Sequence, residues 1–355
     1  MTPNLERVTI ARDDDLYEAF PDVCRLSGDG LLCIYRESDY HSGRTSRLML
    51  VESNDRGRTW TNKRQLHSTL SIKENGSVWT NPRLTRLADG RIVATLDLQF
   101  SQYDEIWKPK SLFCYQTFLS FSEDDGKTWS ELHLTEIEGI CPSRVFVASD
   151  DHWLIATTHF LGRFPGAFRL EVFHSFDRGQ TWPIAGLGAE EDGFQHDEPS
   201  ILRLSDGRLL MVMRENVHIH RPSHYVISED EGRVWSAPRP TVLFGDRPDC
   251  GVLESGRLMV TYRNVEPAPD EEKLDKGRNP GTWAWRGDLE GLSGAVGEST
   301  FLELEHDGCG NHGDYGYTGW VQFEDGEIFC IYHHRDDAPN SYIRGCTFRE
   351  DDFPG

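Results

Sequence analysis

The sequence predicts an all-β fold, a six-bladed β-propeller with four antiparallel strands in each blade. Three observations carry this prediction: an eight-residue phrase that recurs four times, an acidic-glycine turn that recurs six times, and short apolar runs that flank both. Repeats spaced tens of residues apart are typical of propellers, solenoids and arrays. A four-stranded unit repeated around an axis favours the propeller among these architectures.

The eight-residue phrase has the pattern S-x-D-x-G-x-T-W, with Val in place of Thr in the last copy. It occupies Ser53–Trp60, Ser122–Trp129, Ser175–Trp182 and Ser228–Trp235. Asp and Ser side chains can cap a tight turn by accepting bonds from nearby backbone N–H groups. Glycine supplies the positive φ that such a turn needs. The phrase therefore predicts a β-hairpin whose Trp anchors it in an apolar layer.

The second pattern is an acidic-glycine turn between two apolar runs, which is a strong hairpin signal. Clear copies occur at Leu26–Gly30, Leu87–Gly90, Leu204–Gly207 and Phe323–Gly326, a variant at Leu253–Gly256 and a degenerate copy at Ala148–Asp151. Four of the six hairpins precede an S-x-D-x-G-x-T-W hairpin. Each unit then contains strands A to D, with the acidic-glycine turn between A and B and the longer phrase between C and D.

Six such units make one propeller domain over residues 1–355. The predicted blades span roughly 16–60, 78–129, 139–182, 194–235, 245–303 and 312–355. The last two blades lack the S-x-D-x-G-x-T-W phrase. The early segment Arg7–Ala11 is expected to pair with the last blade and close the ring.

Composition excludes several classes of partner. The 355 residues carry a formal net charge of −22, which argues against nucleic acid and anionic membranes, since both require a basic surface. No apolar run approaches the ~20 residues of a membrane-spanning helix. Met1–Asp15 contains no apolar core of a signal peptide. The eight cysteines are scattered without a C-x-x-C pair, so we expect buried free thiols and a cytoplasmic protein.

No cofactor or metal site is expected from the sequence. Histidine pairs occur at His218 with His220 and at His333 with His334, but neither pair has a third ligand at a useful spacing. The acidic turns do not match a calcium-binding loop. The glycines belong to turns, and no phosphate-binding or dinucleotide-binding motif is present.

Antiparallel geometry places the starts of A strands, the ends of B strands and the B–C loops on one face of the propeller. This face is rich in charged residues, arginine above all. Arginine suits bidentate capture of a carboxylate. The polar residues of this face include Asp22, Arg36, Asp39, His41, Arg83, Arg144, Glu198, Arg214, Arg247, Asp249 and Arg263.

Three segments carry a family resemblance. The S-x-D-x-G-x-T-W phrase resembles the Asp-box of sialidases and their relatives. The stretch from Asp197–Ser200 to Arg214 resembles the sialidase segment in which a Glu opens an A strand and an Arg closes the B strand. Asp314–Trp320 resembles the segment that carries the sialidase nucleophile, a Tyr with a Glu as its base. At the level of fold, the resemblance covers the whole chain.

This resemblance implies roles for particular residues. Tyr317 corresponds to the nucleophile, Glu198 to its base and Arg214 to one carboxylate-binding arginine. Arg278 or Arg263 is the expected second arginine. Sialidases usually carry Arg-Ile-Pro at the first A strand, whereas this chain has Ala19-Phe20-Pro21. The arginine missing there has three expected substitutes, which are Arg36, Arg83 and Arg144.

The remaining expected site residues are less specific. Asp39 and His41, in the B–C loop of the first blade, are the alternatives for the general acid/base, and His performs this role near neutral pH without a large pKa shift. Asp22, Asp249 and Tyr315 are expected to bind substrate.

The leading hypothesis is an exo-acting, retaining glycoside hydrolase for a terminal acidic sugar, sialic acid or a related one. A polysaccharide lyase acting on a uronic-acid glycan is the second hypothesis, with His41, His159 or Tyr315 available as its base. A non-catalytic carbohydrate-binding propeller is the third. In each case the expected partner is an acidic carbohydrate, and the sequence does not specify an oligomeric state.

Overall fold

The chain folds into six separate antiparallel β-sheets arranged as the blades of a β-propeller, which confirms the predicted fold class. The computed structural model describes residues 5–354 except 42, 44, 69–76, 101–113, 162–166, 184–185, 190–192, 217–220, 267–279, 308–314 and 337. The first strands of blades 4, 5, 6, 1 and 2 contact one another in this order around the ring, and blade 3 contacts the first strand of blade 4 through its second strand, so the first strands lie nearest the propeller axis.

The strands are numbered in chain order, beginning with β1 (Glu6–Ala11). Blade 1 contains β2 (Tyr17–Arg25), β3 (Leu31–Ser38), β4 (Ser46–Ser53) and β5 (Thr61–Ser68). Blade 2 contains β6 (Ser77–Trp79), β7 (Arg83–Arg86), β8 (Ile92–Phe100), β9 (Cys114–Ser122) and β10 (His133–Glu138). Blade 3 contains β11 (Phe146–Val147), β12 (Trp153–Leu161), β13 (Ala167–Ser175) and β14 (Gly186–Ala189).

The second half of the chain repeats this arrangement. Blade 4 contains β15 (His196–Arg203), β16 (Leu209–Glu215), β17 (His224–Ser228) and β18 (Arg239–Pro240). Blade 5 contains β19 (Gly245–Val252), β20 (Leu258–Asn264), β21 (Gly281–Gly287) and β22 (Ser299–His306). Blade 6 contains β23 (Gly316–Gln322), β24 (Ile328–His334) and β25 (Tyr342–Phe348), and β1 pairs with β25 as its fourth strand.

Pairing of β1 with β25 joins the two ends of the chain in one sheet. Val8 lies opposite Gly345 in the antiparallel register. The predicted closure of the ring by residues 7–11 is therefore confirmed. The first strand of the chain thus completes the last blade, and the outer edges that remain are short, as in other propellers.

The S-x-D-x-G-x-T-W phrase forms the hairpin between the third and fourth strands of blades 1 to 4. In the first copy, Ser53 Oγ accepts a bond from Gly57 N at 2.8 Å and Asp55 Oδ1 accepts one from Thr59 N at 2.8 Å. The Trp60 indole N–H donates to Gly57 O at 2.8 Å. Because the fourth strand follows the Trp, these four sheets extend beyond the residue at which each predicted blade range ends.

Hydrophobic cores lie between the blades rather than at one centre. Six apolar clusters each combine residues of two neighbouring blades, and the cluster between blades 6 and 1 includes Ile10, Cys33 and Phe329. The six cysteines of the described ranges that are assigned as free are all buried. This agrees with the expected buried thiols, which behave as small apolar side chains.

Helices are minor elements. The short α1 (Leu289–Leu292) connects β21 to β22, and Asp288 caps it by accepting a bond from Gly291 N at 2.7 Å. A 3₁₀ turn at Glu350–Asp352 follows β25. Within the described ranges, no helix is long and apolar enough to cross a membrane.

Candidate active site

Five non-glycine residues with positive φ occupy equivalent positions near the axis. They are Phe20, Cys141, Glu198, Arg247 and Tyr317, one from every blade except blade 2. In blades 1, 4, 5 and 6 the strand register shifts at this point. In four of the five cases the next residue is proline, which has no N–H for the ladder. Such a bulge re-aims a side chain, and strained backbone of this kind clusters at functional sites.

The bulges of blades 4 and 6 bring the two residues of the expected catalytic pair together. Tyr317 Oη donates a hydrogen bond to Glu198 Oε1, and both side chains are buried. Burial and the neighbouring charge of Glu198 raise the pKa of Tyr317 well above its usual value. Tyr317 therefore keeps its proton in the resting protein, and Glu198 is positioned to accept it.

Glu198 is held from three sides. Its Oε2 accepts a bond from the backbone N–H of Arg247 at 2.7 Å, and Arg214 Nη1 lies 3.4 Å from Oε1. The carboxylate of Asp197 accepts a bond from the backbone N–H of Glu198 at 2.7 Å. Burial and the charge of Glu198 raise the pKa of Asp197 to about 6. The position of the Glu198 carboxylate is thus fixed by groups from blades 4, 5 and 6.

Two arginines at the ends of second strands share one carboxylate. Arg214 lies opposite Asp197 in blade 4, and Arg263 lies opposite Asp246 in blade 5. Asp246 Oδ1 is 2.9 Å from Arg214 Nε, and its Oδ2 is 2.6 Å from Arg263 Nη2. The Arg263 guanidinium also stacks 4.8 Å from the centroid of the Tyr317 ring. Asp246 therefore fixes both arginines beside the nucleophile candidate.

Arg247 completes the group. Its guanidinium carbon lies 5.8 Å from the Tyr317 ring centroid, and its Nη1 has no hydrogen-bond partner among the residues that the structure describes. Hereafter, the axial site denotes Glu198, Arg214, Asp246, Arg247, Arg263 and Tyr317.

The sequence predicts that Arg247 lies on this face but assigns it no role, and Asp246 is not among the residues that it predicts for the site. Arg247-Pro248 repeats the Glu198-Pro199 pattern one blade later. That repeat is the signal that could have identified Arg247. Asp246 directly precedes Arg247, as Asp197 precedes Glu198.

An aromatic wall borders the axial site on the side of blade 1. The Phe20 ring lies 5.1 Å from that of Tyr317, and the His333 ring lies 5.6 Å from it. Arg36 stacks 4.5 Å from the Phe20 centroid and donates to the backbone oxygen of His41 at 2.5 Å. Arg36 also pairs with Ala19 across the strands, so it is the expected substitute arginine that reaches this wall.

The two expected acid/base residues lie on the loop after β3. His41 Nδ1 is 2.7 Å from Tyr17 Oη, and its ring packs edge-on against Phe20 at 5.6 Å. Asp39 is exposed, and its Oδ1 accepts a bond from Thr45 N at 3.3 Å. His41 thus touches the aromatic wall directly, whereas Asp39 stabilises the loop.

Four of the residues expected to bind substrate contact one another in a network, the axial ion cluster of Asp22, Arg83, Arg144 and Asp249. Arg83 lies 2.9 Å from Asp249 and 3.5 Å from Asp22. Arg144 binds Asp22 and lies 3.2 Å from Asp249. Leu84 N also donates to Asp22 at 2.8 Å. Each cation contacts both anions, so the cluster joins blades 1, 2, 3 and 5 around the axis.

The remaining expected residues are placed as follows. Tyr315 Oη donates to the backbone oxygen of Asn264 at 3.2 Å, and burial raises its pKa to about 12. His159, in blade 3, has its Nδ1 3.4 Å from the backbone oxygen of Glu138 in blade 2. Arg278 lies outside the described residues. Its alternative, Arg263, lies beside Tyr317.

One group in the described ranges has donor atoms close enough to hold a metal ion, namely Cys141, Asp197 and Glu198. Burial raises the pKa of the Cys141 thiol well above its usual value, whereas metal binding requires a thiolate. Glu198 already accepts bonds from Tyr317 and Arg247. The donor set therefore fits a metal ion poorly.

Comparison with known families identifies the repeat. The family model described as a BNR repeat-like domain matches residues 18–184 and 122–330, which together cover most of the chain. The chain belongs to the BNR repeat-like family. Comparison of this BNR repeat-like protein with curated proteins gives no match.

Solved structures share the whole propeller with this BNR repeat-like protein. A protein of unknown function from Dyadobacter fermentans is 18% identical, with a TM-score of 0.79 over 97% of this chain and 98% of that one. The NanB sialidase of Streptococcus pneumoniae is 11% identical, with a TM-score of 0.69 over 98% and 70%. The Penicillium chrysogenum α-L-arabinanase is 15% identical, with a TM-score of 0.63 over 99% and 100%. Similarity at these identities establishes the fold.

Proposed function

We propose that this protein is a retaining exo-glycoside hydrolase that removes a terminal acidic sugar, with Tyr317 as nucleophile and Glu198 as its base. The hydrogen bond from Tyr317 Oη to Glu198 Oε1 carries the proposal. A phenol with a raised pKa is a weak nucleophile unless a neighbouring base removes its proton during attack. A buried carboxylate in direct contact with the hydroxyl meets this requirement.

The reaction proceeds in two displacements. In the first, the bond from Tyr317 Oη to the anomeric carbon forms, the glycosidic C–O bond breaks, and the phenolic proton passes to Glu198. A general acid protonates the departing oxygen, and His41 is the better placed of the two expected residues because it touches the aromatic wall. Water then attacks the anomeric carbon and gives a proton to His41, the sugar–tyrosine bond breaks, and Glu198 returns its proton to Tyr317 Oη. Two inversions give net retention.

The arginines support an acidic sugar. Arg214, Arg247 and Arg263 lie around Tyr317 and outnumber the two carboxylates of the axial site, Glu198 and Asp246, and this excess of cations favours an anionic ligand. This concentration of cations contrasts with the net charge of −22 of the whole chain. The structural similarity to a protein named as a sialidase agrees with the proposal. A cytoplasmic location remains part of the proposal on the sequence evidence alone.

A panel of fluorogenic glycosides tests the proposal. The panel contains a sialoside, a glucuronide and a neutral arabinofuranoside, each assayed with wild type, Tyr317→Phe and Glu198→Gln. Tyr332→Phe is the matched control. The Tyr332 hydroxyl donates to Glu305 at 3.0 Å, and neither residue belongs to the axial site. We expect wild type and the control to release the aglycone from an acidic glycoside. Both site variants should lose on the order of 10³-fold or more in kcat.

Other outcomes assign the protein differently. Turnover of the arabinofuranoside alone would keep the hydrolase and reject the acidic substrate. An ultraviolet-absorbing unsaturated product from a uronic-acid glycan would indicate the lyase. Full activity of Tyr317→Phe would exclude Tyr317 as the nucleophile, and binding without turnover on any substrate would indicate a carbohydrate-binding propeller.

A further inference from the structure

A groove lined by aromatic side chains lies at the junction of blades 4 and 5, and the Tyr317–Glu198 chemistry does not use it. Its volume is about 310 Å³, which is within the range of cavities that bind small molecules. Such cavities are mostly apolar and contain a few polar groups that orient the ligand. The residues that line this aromatic groove include Phe244, Tyr262, Asn264, Glu266, Trp283 and Phe301.

The rings of the aromatic groove form a row that leads outward from the propeller axis. Tyr262, Trp283 and Phe301 belong to β20, β21 and β22, which are the second, third and fourth strands of blade 5. Tyr262 lies opposite Trp283, and Trp283 lies opposite Glu303, two residues from Phe301. Residues two apart on a strand face the same side of the sheet. The three rings therefore follow one face of blade 5 to its outer edge.

The inner end of the aromatic groove adjoins the axial site. Asn264 directly follows Arg263 at the end of β20. The backbone oxygen of Asn264 accepts the hydrogen bond from Tyr315 Oη at 3.2 Å. Phe244 directly precedes Gly245, which lies opposite Asn264 in the sheet. The groove therefore begins next to the axial site, on the same face of the propeller.

The rings of the aromatic groove present accessible apolar surface. Phe301 is 36% exposed, and Phe244 and Trp283 are half-buried. Covering apolar surface of this kind is favourable, because it removes that surface from water. A ligand with an apolar face gains this free energy when it packs against the row of rings.

The polar groups at the inner end restrict the ligand to one that carries hydroxyls. Burial and the charge of Glu266 raise the pKa of Tyr262, which places the Glu266 carboxylate near the phenol. A carboxylate accepts hydrogen bonds, whereas the amide of Asn264 both donates and accepts them. Among the described residues that line the groove, Glu266 alone is charged. Its charge disfavours an anionic ligand at this position.

We propose that the aromatic groove binds a neutral sugar of the substrate, next to the terminal acidic sugar at the axial site. The proposal rests on the glycoside hydrolase function proposed above and identifies the substrate class as a glycan whose acidic end is followed by uncharged sugars. The C–H groups on the face of a sugar ring pack against Trp283 and Phe301. The hydroxyls on its rim form hydrogen bonds with Asn264 and Glu266.

The first test measures binding without turnover. Lactose, cellobiose and arabinobiose are titrated calorimetrically into wild type, Phe301→Ala and Phe301→Leu. The matched control is Phe176→Ala, because Phe176 is also exposed but lies in the S-x-D-x-G-x-T-W hairpin of blade 3. We expect wild type and the control to bind at least one disaccharide. Phe301→Ala should weaken that binding by about 10-fold, since it removes one ring's apolar contact.

Phe301→Leu should give a smaller loss, because leucine keeps apolar surface without the flat ring. Absence of binding by all three disaccharides at millimolar concentration would overturn the proposal. Binding that both Phe301 variants leave unchanged would also overturn it, because the sugar would then bind elsewhere. Tetramethylammonium that binds in place of the sugars would show an aromatic cage for cations and reject a sugar site.

The second test uses two substrates with the same acidic sugar. One is the glycosyl fluoride, whose leaving group is a single atom, and the other is joined to the disaccharide that binds most tightly. We expect Phe301→Ala to lower kcat/KM for the disaccharide conjugate by about 10-fold and to leave that for the fluoride nearly unchanged. Equal losses on both substrates would mean that Phe301 acts through the fold, and would overturn the proposal.

The two tests separate failure of this proposal from failure of the proposed function. Disaccharide binding that depends on Phe301, without hydrolysis of any acidic glycoside, would keep the sugar site and reject only the hydrolase. Hydrolysis of an acidic glycoside without disaccharide binding would keep the hydrolase and reject the sugar site. A crystal structure with the disaccharide decides the question if the variants do not fold. A sugar ring packed against Trp283 and Phe301 supports the proposal, and a sugar bound elsewhere contradicts it.

Discussion

Tyr317 and Glu198 lie on different blades, 119 residues apart in the chain, yet occupy the same bulge position and share a hydrogen bond. The blades are repeats, so one local deviation in the first strand recurs around the axis and aims several side chains at a common point. Blade 4 contributes a carboxylate there, blade 5 an arginine and blade 6 a phenol. The axial site is therefore assembled by the repeat itself, with a different side chain at each equivalent position.

Tyr317 and Glu198 should behave as one unit in a double-mutant cycle. Tyr317→Phe and Glu198→Gln are each expected to lower kcat by on the order of 10³-fold or more, and the double variant by little more than either single variant. The reason is that attack requires both the oxygen and the group that removes its proton. Steady-state kinetics on the best substrate of the glycoside panel measures the coupling.

Melting curves of the three proteins should remain close to that of wild type, which separates loss of chemistry from loss of fold. Multiplied losses in the double variant would mean that the two residues contribute to separate steps.

Asp246 should hold Arg214 and Arg263 in place. Asp246→Asn leaves two neighbouring cations without their shared anion, and breaking a buried pair typically costs about 3–5 kcal/mol. We expect a lower free energy of unfolding, a higher KM and partial recovery of the melting temperature on addition of sulfate. Chemical denaturation with and without sulfate measures this effect.

The matched control for that prediction is Asp206→Asn, which breaks an exposed pair with Arg208 on a turn. Little change in stability is expected there, because exposed ion pairs are screened by water. If Asp246→Asn were as stable as wild type in the absence of added anions, the two arginines would not depend on Asp246.

The axial ion cluster should contribute to stability and not to substrate binding. Asp22→Asn or Asp249→Asn removes one of two anions that contact both Arg83 and Arg144, so the expected loss is again about 3–5 kcal/mol. KM measured well below the melting temperature should stay close to that of wild type. A raised KM with unchanged stability would instead restore the sequence-based expectation that these residues bind substrate.

The fold could be predicted because the evidence for it is local and repeated. Each hairpin carries its own turn residues. In Ser53–Trp60 and in its three later copies, the backbone N–H of the Gly donates to the Ser hydroxyl oxygen. Antiparallel pairing then determines which strand ends share a face. The hairpin signals and the antiparallel pairing were therefore sufficient to predict from the sequence that Glu198, Arg214, Arg263 and Tyr317 lie on one face.

The partners within that face could not be predicted in the same way. Asp22 and Arg83 are on the expected face, but only the three-dimensional arrangement shows that they bind each other. A one-residue difference in strand position separates Asp246, which binds the site arginines, from Arg247, which faces the Tyr317 ring. Such differences arise at the bulges, where the alternation of strand side chains is broken.

Asp197 should make stability depend on pH between about 4 and 6. Burial and the charge of Glu198 raise its pKa from 3.8 to about 6, so the folded protein holds this proton over a range in which the unfolded chain has released it. The associated stability is fully present below pH 3.8 and is lost as the pH rises through about 6. About two pKa units correspond to a penalty on the order of 2–3 kcal/mol at pH 7.

The neutral amide of Asp197→Asn avoids that penalty and keeps an oxygen that can accept the bond from Glu198 N. The variant should therefore gain stability relative to wild type as the pH rises from 4 to 7, while other titrating groups cancel in the difference. Melting temperatures of both proteins at half-unit pH steps measure it, with Asp206→Asn as the exposed control. If the melting temperatures of the two proteins changed in parallel with pH, the Asp197 carboxylate would be better solvated than its buried position beside Glu198 implies.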